Sequence, residues 1–355
     1  MTEAQLRLID LIDDMSVGKD VFFRMVRSAR DVMTYDVKTL ALDDTMETCL
    51  RFMKDNKVRH VPVVDRPTGQ EERPYLVGIA SERDVFREIC LQGGGPGEKH
   101  AKPKGLRRSL AQVVTRHPKC ASPETPIRDL LESMLGNRLD MVPVVEGDDL
   151  VGTVTAGDIV KLFVRLGALR QLCEAAREST QLANRSPLDG EESSPLSAVP
   201  QGVRDIMTEE VVCLTPQDDL AKALEVMQEG TFRHIPIVDE EGKLVGVVSD
   251  RDVLRHLPFA RGRRRREGEG FRSSLFAVDP DDRRLKLPLE QIMTEKVVRV
   301  SRSCSICDAA RTLHRMRASC LPVVDEEENI RGIVTVTDLM RALLAAYELV
   351  EQAQC

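Results

Sequence analysis

The feature that most constrains the fold is an internal repeat, one pattern written four times in 355 residues. In every copy a Thr is followed 28 residues later by a Pro in a β-branched run. The four pairs are Thr34 and Pro62, Thr115 and Pro143, Thr208 and Pro236, and Thr294 and Pro322. A spacing held four times, in matching apolar register, indicates one folding unit repeated along the chain.

Each copy carries the same succession of local patterns. Apolar residues recur at i, i+3, i+4 and i+7 after the Thr, which predicts an amphipathic helix. These helices are predicted to begin at Met46, Ile127, Leu220 and Ile306. Runs such as "VPVVD" and "IPIVD" and a glycine-containing run such as "LVGVVS" predict two further strands, and "DRDVLRHL" predicts a second helix. A copy therefore reads as strand, helix, strand, strand, helix.

A unit of about 60 residues buries little surface by itself, so the copies are expected to pair. Two paired modules are predicted, separated by a linker rich in Ser, Pro and acids. The predicted boundaries are 1–29 for an N-terminal helical extension, 30–168 for module 1 (repeats 31–90 and 107–166), 169–201 for the linker, 202–348 for module 2 (repeats 203–258 and 287–346) and 349–355 for a tail.

Composition narrows the class of protein. The net charge of −7 gives no general attraction to nucleic acid or anionic membranes. No stretch approaches the roughly 20 apolar residues of a transmembrane helix, and the N-terminus lacks the basic start and apolar run of a secretory signal. The nine Cys are then best read as reduced thiols, and a cytoplasmic location is expected.

The pattern resembles the CBS (cystathionine-β-synthase-type) domain family. The residues that carry the resemblance are "DVMT" and "DIMT", "RHVPVVD" and "RHIPIVD", and Gly-x-x-[Ser/Thr]-x-x-Asp at the ends of the copies. It implies an α/β (α+β) fold of four βαββα repeats in two Bateman modules, with adenosine-containing ligands in clefts between repeats. Copy two departs most, because "VVTRHP" replaces the usual start and Asp140 precedes "MVPVV".

The final motif offers groups that suit a nucleotide. A carboxylate can accept hydrogen bonds from both hydroxyls of a ribose. The candidate carboxylates are those of Asp84, Asp158, Asp252 and Asp338. A hydroxyl three residues earlier, at a helix start, favours a phosphate, and these are Ser81, Thr155, Ser249 and Thr335. Glycines allow close backbone approach, at Gly78, Gly152, Gly246 and Gly332. The competing interpretation is a helix capping box that binds nothing.

The copies differ three residues before the Pro. Copies one and three have Arg59 and Arg233, whereas copy two has Asp140 and copy four has Ser319. An Arg can hold a phosphate bidentately and an Asp would repel it, so each module is predicted to have one stronger phosphate-binding half. The residues that follow, His60 and His234, are candidates for the same cleft. The alternative is that all four are surface strand residues.

Three other signals are weaker. Cys304 and Cys307 form a CxxC, but no second CxxC or nearby His pair completes a zinc site, so small buried or half-buried residues are expected. The basic run Arg261–Arg266 could contact nucleic acid, although acids follow it and a solvated loop is the simpler interpretation. The predicted helix within residues 1–29 packs on module 1 or docks to a partner protein.

No nucleophile elbow, P-loop or metal-binding His pair is present, which argues against an enzyme. The leading hypothesis is a sensor of AMP, ADP, ATP or S-adenosylmethionine, without a cofactor, that signals to a protein partner. Flat helical faces on the paired repeats predict a homodimer. A docking protein with empty clefts and a nucleic-acid-associated regulator remain the alternatives.

Overall fold

The computed structural model describes residues 26–65, 75–91, 104–165, 202–230, 232–256 and 283–352. The N-terminal extension up to residue 25, the linker 169–201 and the basic run Arg261–Arg266 lie outside these ranges. Among the described residues, none of the helices has both the length and the apolar character needed to span a membrane.

All four repeats fold as mixed α/β units, as predicted. Their first helices are α1 (Met46–Asn56), α3 (Ile127–Asn137), α5 (Leu220–Gly230) and α7 (Ile306–Met316). Their second helices are α2 (Glu82–Leu91), α4 (156–165), α6 (Asp250–His256) and α8 (Val336–Gln352). The strands are β1 (Leu40–Ala41), β2 (His60–Asp65), β3 (Tyr75–Ser81), β4 (Thr115–Arg116), β5 (Met141–Glu146), β6 (Asp149–Thr155), β7 (His234–Val238), β8 (Leu244–Ser249), β9 (Val300–Ser301), β10 (Cys320–Val324) and β11 (Ile330–Thr335).

The first helices begin at the residues that the apolar pattern indicated. In α1, Met46, Cys49 and Met53 are buried and so form the predicted face. The hydroxyl oxygen of Thr45 accepts a hydrogen bond from the backbone N–H of Thr48, which satisfies one of the donors at the helix start. Periodicity and capping thus agree on where the helix begins.

The two long strands of each repeat form an antiparallel pair. In repeat 1, Pro62 lies opposite Ile79, and the register shifts by one residue after Val63. The same shift follows the equivalent residue in the other three pairs. A bulge bends a strand and increases its twist, so this shared irregularity gives the four repeats the same curvature.

Repeats pair 1 with 2 and 3 with 4 by exchanging their opening segments. Thr34 of repeat 1 exchanges two backbone hydrogen bonds with Thr153 of repeat 2, and Thr115 of repeat 2 pairs with Ile79 of repeat 1. The equivalent bridges in the second module join Thr208 to Ile333 and Thr294 to Val247. The opening Thr that marks each copy in the sequence therefore also makes the contact with the partner repeat.

The two modules meet through their helices. Helix α2 of repeat 1 packs against α6 of repeat 3, and α3 of repeat 2 packs against α8 of repeat 4. Repeats 2 and 4 contribute to one continuous hydrophobic core, whereas repeats 1 and 3 each have a separate core. Helical surfaces that a single module would expose are therefore covered within this chain.

Candidate functional site

The four final motifs form the same hydrogen-bonded turn. In repeat 2, the Thr155 hydroxyl donates to Oδ2 of Asp158 at 2.6 Å, and the Thr155 backbone N–H donates to the same oxygen at 2.9 Å. The Asp158 backbone N–H donates in return to the Thr155 hydroxyl oxygen at 3.3 Å. The hydroxyl-to-carboxylate bond recurs in repeats 1, 3 and 4 at 2.5, 2.5 and 2.7 Å. One carboxylate oxygen of each Asp is thus engaged with the hydroxyl three residues earlier, and in repeats 1, 2 and 3 the Asp backbone N–H completes a reciprocal helix cap.

The second carboxylate oxygen distinguishes the repeats. In repeats 2 and 4, Asp158 and Asp338 are buried, and their Oδ1 atoms accept hydrogen bonds from Lys161 at 2.7 Å and Arg341 at 2.9 Å. In repeat 3, Oδ1 of Asp252 is 4.0 Å from Arg255, and the Asp252 side chain keeps 19% of its exposure. A ribose diol would therefore displace a direct ion pair in repeats 2 and 4, but only a long one at Asp252.

The space above each motif glycine is filled by the opening segment of the partner repeat. A Cβ atom on Gly152 would lie 2.7 Å from the sulfur of Met33, and one on Gly78 would lie 2.4 Å from the carbonyl oxygen of Thr115. Gly246 and Gly332 face Met293 and Met207 in the same way. The close approach at these positions is made by protein backbone and methionine, so the glycines are required by repeat pairing.

The residue three before each Pro lies beside the start of the second helix of its own repeat. The carbonyl oxygen of Arg59 accepts from the backbone N–H of Glu82 at 2.9 Å, and that of Arg233 accepts from Asp250 at 2.9 Å. Asp140 makes the same bond to the N–H of residue 156, and Ser319 to that of residue 336. These four equivalent bonds place Arg59, Asp140, Arg233 and Ser319 at the same position of their repeats.

Charged side chains cross between modules at this point. Nη1 of Arg233 donates to both carboxylate oxygens of Asp140, at 2.8 and 2.9 Å. Arg83 pairs with the buried Asp250, and Nε of Arg251 lies 3.3 Å from Glu82. We call this group the central ion cluster; its members are Arg59, Glu82, Arg83, Asp140, Arg233, Asp250 and Arg251.

Arg59 differs from the other three arginines of the cluster. Its side chain is exposed, and among the described residues it makes no hydrogen bond or ion pair. Desolvation nevertheless lowers the pKa of Arg59, against the opposing attraction of Asp140 and Glu82. Arg59 is thus a solvent-accessible cation that the protein partly desolvates. Nearby acids attract it at a distance, but no carboxylate of the described residues contacts it directly.

The two candidate histidines border the cluster in their neutral form. Burial is the main cause that lowers the pKa of His60 to about 4 and that of His234 to about 3, and nearby arginines reinforce the effect. Nε2 of His234 lies 2.7 Å from the Ser319 hydroxyl, across the repeat pair. Near neutral pH both rings are therefore hydrogen-bonding groups without charge.

Desolvation also affects the charged members of the cluster. Burial raises the pKa of Asp250 although Arg83 and Arg233 oppose the shift, and it lowers the pKa of Arg251 to about 10. For Asp140, burial opposes ionisation, but the charges of Arg233 and Arg83, and of His60 where it is protonated, outweigh it and hold the pKa of Asp140 below its usual value. Asp140 is thus held as a carboxylate by its cationic surroundings.

The sequence reasoning singled out Arg59, Arg233, His60 and His234, and the structure brings all four to the module junction. The sequence reasoning did not identify Glu82, Arg83, Asp250 and Arg251. A signal for them was present: "ERD" and "DRD" open the second helix in repeats 1 and 3, the same two repeats that carry Arg-His before the Pro. Cys304 and Cys307 are both half-buried, and the Cys304 thiol donates to the carbonyl oxygen of Ser305.

The CBS domain family model matches residues 29–90, 110–165, 203–258 and 289–345, which together are more than half of the chain. Protein MJ1225 from Methanocaldococcus jannaschii is 28% identical over 329 residues, covering 90% of this chain and 99% of that protein. Its crystal structure aligns with a TM-score of 0.58 at 18% identity, over 89% of this chain and 99% of that chain, and so shares the fold.

Two further similarities are narrower. MJ1404 from the same organism is 26% identical over 313 residues, which are 88% of this chain but 61% of the length of MJ1404. CBSX2 from Arabidopsis thaliana, solved in complex with AMP, is 28% identical over 41% of this chain and 97% of that chain, with a TM-score of 0.32. AMP is the ligand of CBSX2 in that structure.

Proposed function

Because the chain belongs to the CBS domain family, we propose that it is a cytosolic regulatory protein that binds an adenosine-containing ligand between its repeats. The proposed ligands are AMP, ADP, ATP and S-adenosylmethionine. Binding changes how the two modules are joined, and a partner protein reads that change. A ligand can do this only through different affinities for the two arrangements, so its contacts must reach the junction.

The observation that carries the proposal is the state of the Arg59 side chain. This guanidinium is exposed, and within the described residues no acid pairs with it. Guanidinium groups bind phosphate through two parallel N–H···O bonds, and the bond is stronger where protein reduces hydration. Arg59 therefore offers the phosphate of a nucleotide a ready partner at the module junction.

The ribose position in the same repeat is close by. His60, the neighbour of Arg59, pairs in register with Ser81 of β3, and Ser81 caps Asp84. Asp84 also acts electrostatically on His60. A nucleotide that placed its phosphate at Arg59 would have its ribose within the reach of this turn. His60 is thus linked to both proposed positions, and its neutral ring adds no charge there.

Calorimetric titration of the full chain with AMP, ATP, adenosine and S-adenosylmethionine tests the proposal. Arg59→Ala is expected to weaken AMP binding by roughly ten- to a hundredfold, since a hydrogen bond to a charged group contributes about 1.5–3 kcal/mol. Adenosine binding should change little because it has no phosphate. Arg51→Ala is the matched control, since Arg51 is exposed on α1 of the same repeat.

The outcomes separate the alternatives. AMP affinity unchanged in Arg59→Ala would contradict the phosphate assignment. If the wild-type protein binds none of the four ligands, a docking protein with empty clefts would be favoured. The basic run Arg261–Arg266, on which the nucleic-acid alternative depends, lies outside the described residues. The homodimer remains a prediction, although the helical faces on which it was based pack against each other within this chain.

A further inference from the structure

The ion pair between Asp140 and Arg233 stands out because it joins the two modules diagonally, from repeat 2 to repeat 3. A single nitrogen, Nη1, contacts both carboxylate oxygens, and Nη2 of Arg233 donates to the carbonyl oxygen of Arg138 at 3.4 Å. Both side chains are about one third exposed. Ligands from solution can therefore reach the pair, although it is not fully solvated.

Arg59 and Arg233 occupy the same position in their repeats, as their matching backbone bonds to Glu82 and Asp250 show. Their surroundings differ in one respect that matters for anions. Arg233 has a carboxylate in direct contact, whereas Arg59 has no such contact among the described residues. Two equivalent guanidinium groups are thus held in unequal states by one acidic residue.

We propose that Asp140 is an internal competitor for phosphate at Arg233, a specificity residue that makes the two phosphate positions unequal. This inference rests on the proposed function. A carboxylate and a phosphate use the same guanidinium donors, and two anions at one arginine repel each other. A phosphate-bearing ligand binds first at Arg59, and at Arg233 it must displace Asp140. Displacement breaks a bond between modules, so occupancy of the weaker position alters the junction.

Titration of the full chain with AMP, compared with adenosine, tests this role in the wild type and in Asp140→Asn. The weaker AMP affinity should tighten by about fivefold, the change that corresponds to about 1 kcal/mol for a partly exposed ion pair. The affinity for adenosine should stay the same, and the stronger AMP affinity should change less than the weaker one, because Asp140 acts on Arg59 without direct contact. Asp129→Asn removes one exposed negative charge from the same repeat and should reproduce none of this.

A second variant tests whether the effect of Asp140→Asn comes from the lost charge or from a change in folding. Asp140→Ser copies the residue of repeat 4, where Ser319 holds the same backbone position. It should tighten the weaker AMP affinity as Asp140→Asn does, with an unchanged circular-dichroism spectrum of the ligand-free protein as the check on folding. If AMP binds the wild type but neither variant tightens the weaker site, the competitor role of Asp140 is overturned and the proposed function stands. If AMP does not bind the wild type, the proposed function falls and this inference falls with it.

Discussion

The two junctions between the modules are built from opposite chemistry. Repeats 2 and 4 meet through α3 and α8, around one apolar core that runs from one module into the other. Repeats 1 and 3 meet through the shorter helices α2 and α6, where Arg83 with Asp250 and Arg251 with Glu82 form reciprocal ion pairs. One junction is held by buried hydrophobic surface and the other by exchangeable charge.

The difference assigns the two junctions different roles. Apolar burial is non-directional and cannot be replaced by a solute, so the junction of repeats 2 and 4 keeps the modules together. Ion pairs that retain some exposure can be exchanged for pairs with a ligand or a salt ion. The junction of repeats 1 and 3, with the proposed phosphate position beside it, is the side where a ligand can change module geometry.

The largest expected effect is at the apolar junction. Leu343 on α8 is buried in the shared core, so Leu343→Ala should lower the free energy of unfolding by about 2–5 kcal/mol. Because the core spans both modules, both should lose stability in a urea titration followed by hydrogen exchange. Leu254→Ala, in the separate core of repeat 3, is the matched control and should destabilise module 2 first. Independent melting of module 1 in Leu343→Ala would contradict a shared core.

Breaking an ion pair between repeats 1 and 3 should lower the unfolding free energy by less, and a second substitution should restore part of it. Arg83→Met leaves the buried Asp250 without its partner and should cost about 2 kcal/mol of unfolding free energy, less than a fully buried pair because Arg83 keeps 23% exposure. Arg83→Met combined with Asp250→Asn should recover part of the loss, since no ionised group is then buried alone. A double variant as unstable as the sum of the two single variants would show that the two side chains do not interact.

Protonation of the histidines at the junction should give a pH dependence of intermediate size. Burial lowers the folded-state pKa of His60 to about 4 and of His234 to about 3, below the unfolded value of about 6.5. The unfolded chain therefore binds more protons between these values, and stability should fall as the pH falls from about 6.5 toward about 4. Urea midpoints measured across this window should flatten in His60→Gln combined with His234→Gln. The exposed His314→Gln is the control and should keep the wild-type slope.

Much of a single repeat could be predicted from sequence, because its signals are local. The apolar period placed the starts of the first helices at Met46, Ile127, Leu220 and Ile306, where the structure has them. The turn at Asp158 was recognised with both interpretations open, and the contact with Lys161 that now distinguishes it from Asp252 depends on side-chain geometry that spacing does not encode.

The junctions could not be predicted in the same way, because they depend on which surfaces meet after the modules have formed. "SERDV" and "SDRDV" show that repeats 1 and 3 share charges that "TAGDI" and "TVTDL" lack. That contrast hints at two classes of repeat, but not that α2 would face α6. Pairing of Asp140 with Arg233 was likewise hidden, since it joins residues of two different modules.

The smallest expected effect is a difference between the two junctions in their response to salt. Raising the ionic strength from about 0.1 M to about 1 M shortens the Debye length from about 10 Å to about 3 Å, which weakens partly exposed ion pairs and leaves apolar burial intact or stronger. Amide hydrogen exchange should then quicken in α2 and α6 by a small factor, while α3 and α8 keep their protection. In Arg83→Met/Asp250→Asn this salt response should shrink because one of the pairs is gone. Equal responses at both junctions would mean that charge does not hold repeats 1 and 3 together, and a ligand phosphate would have no ionic contact there to exchange.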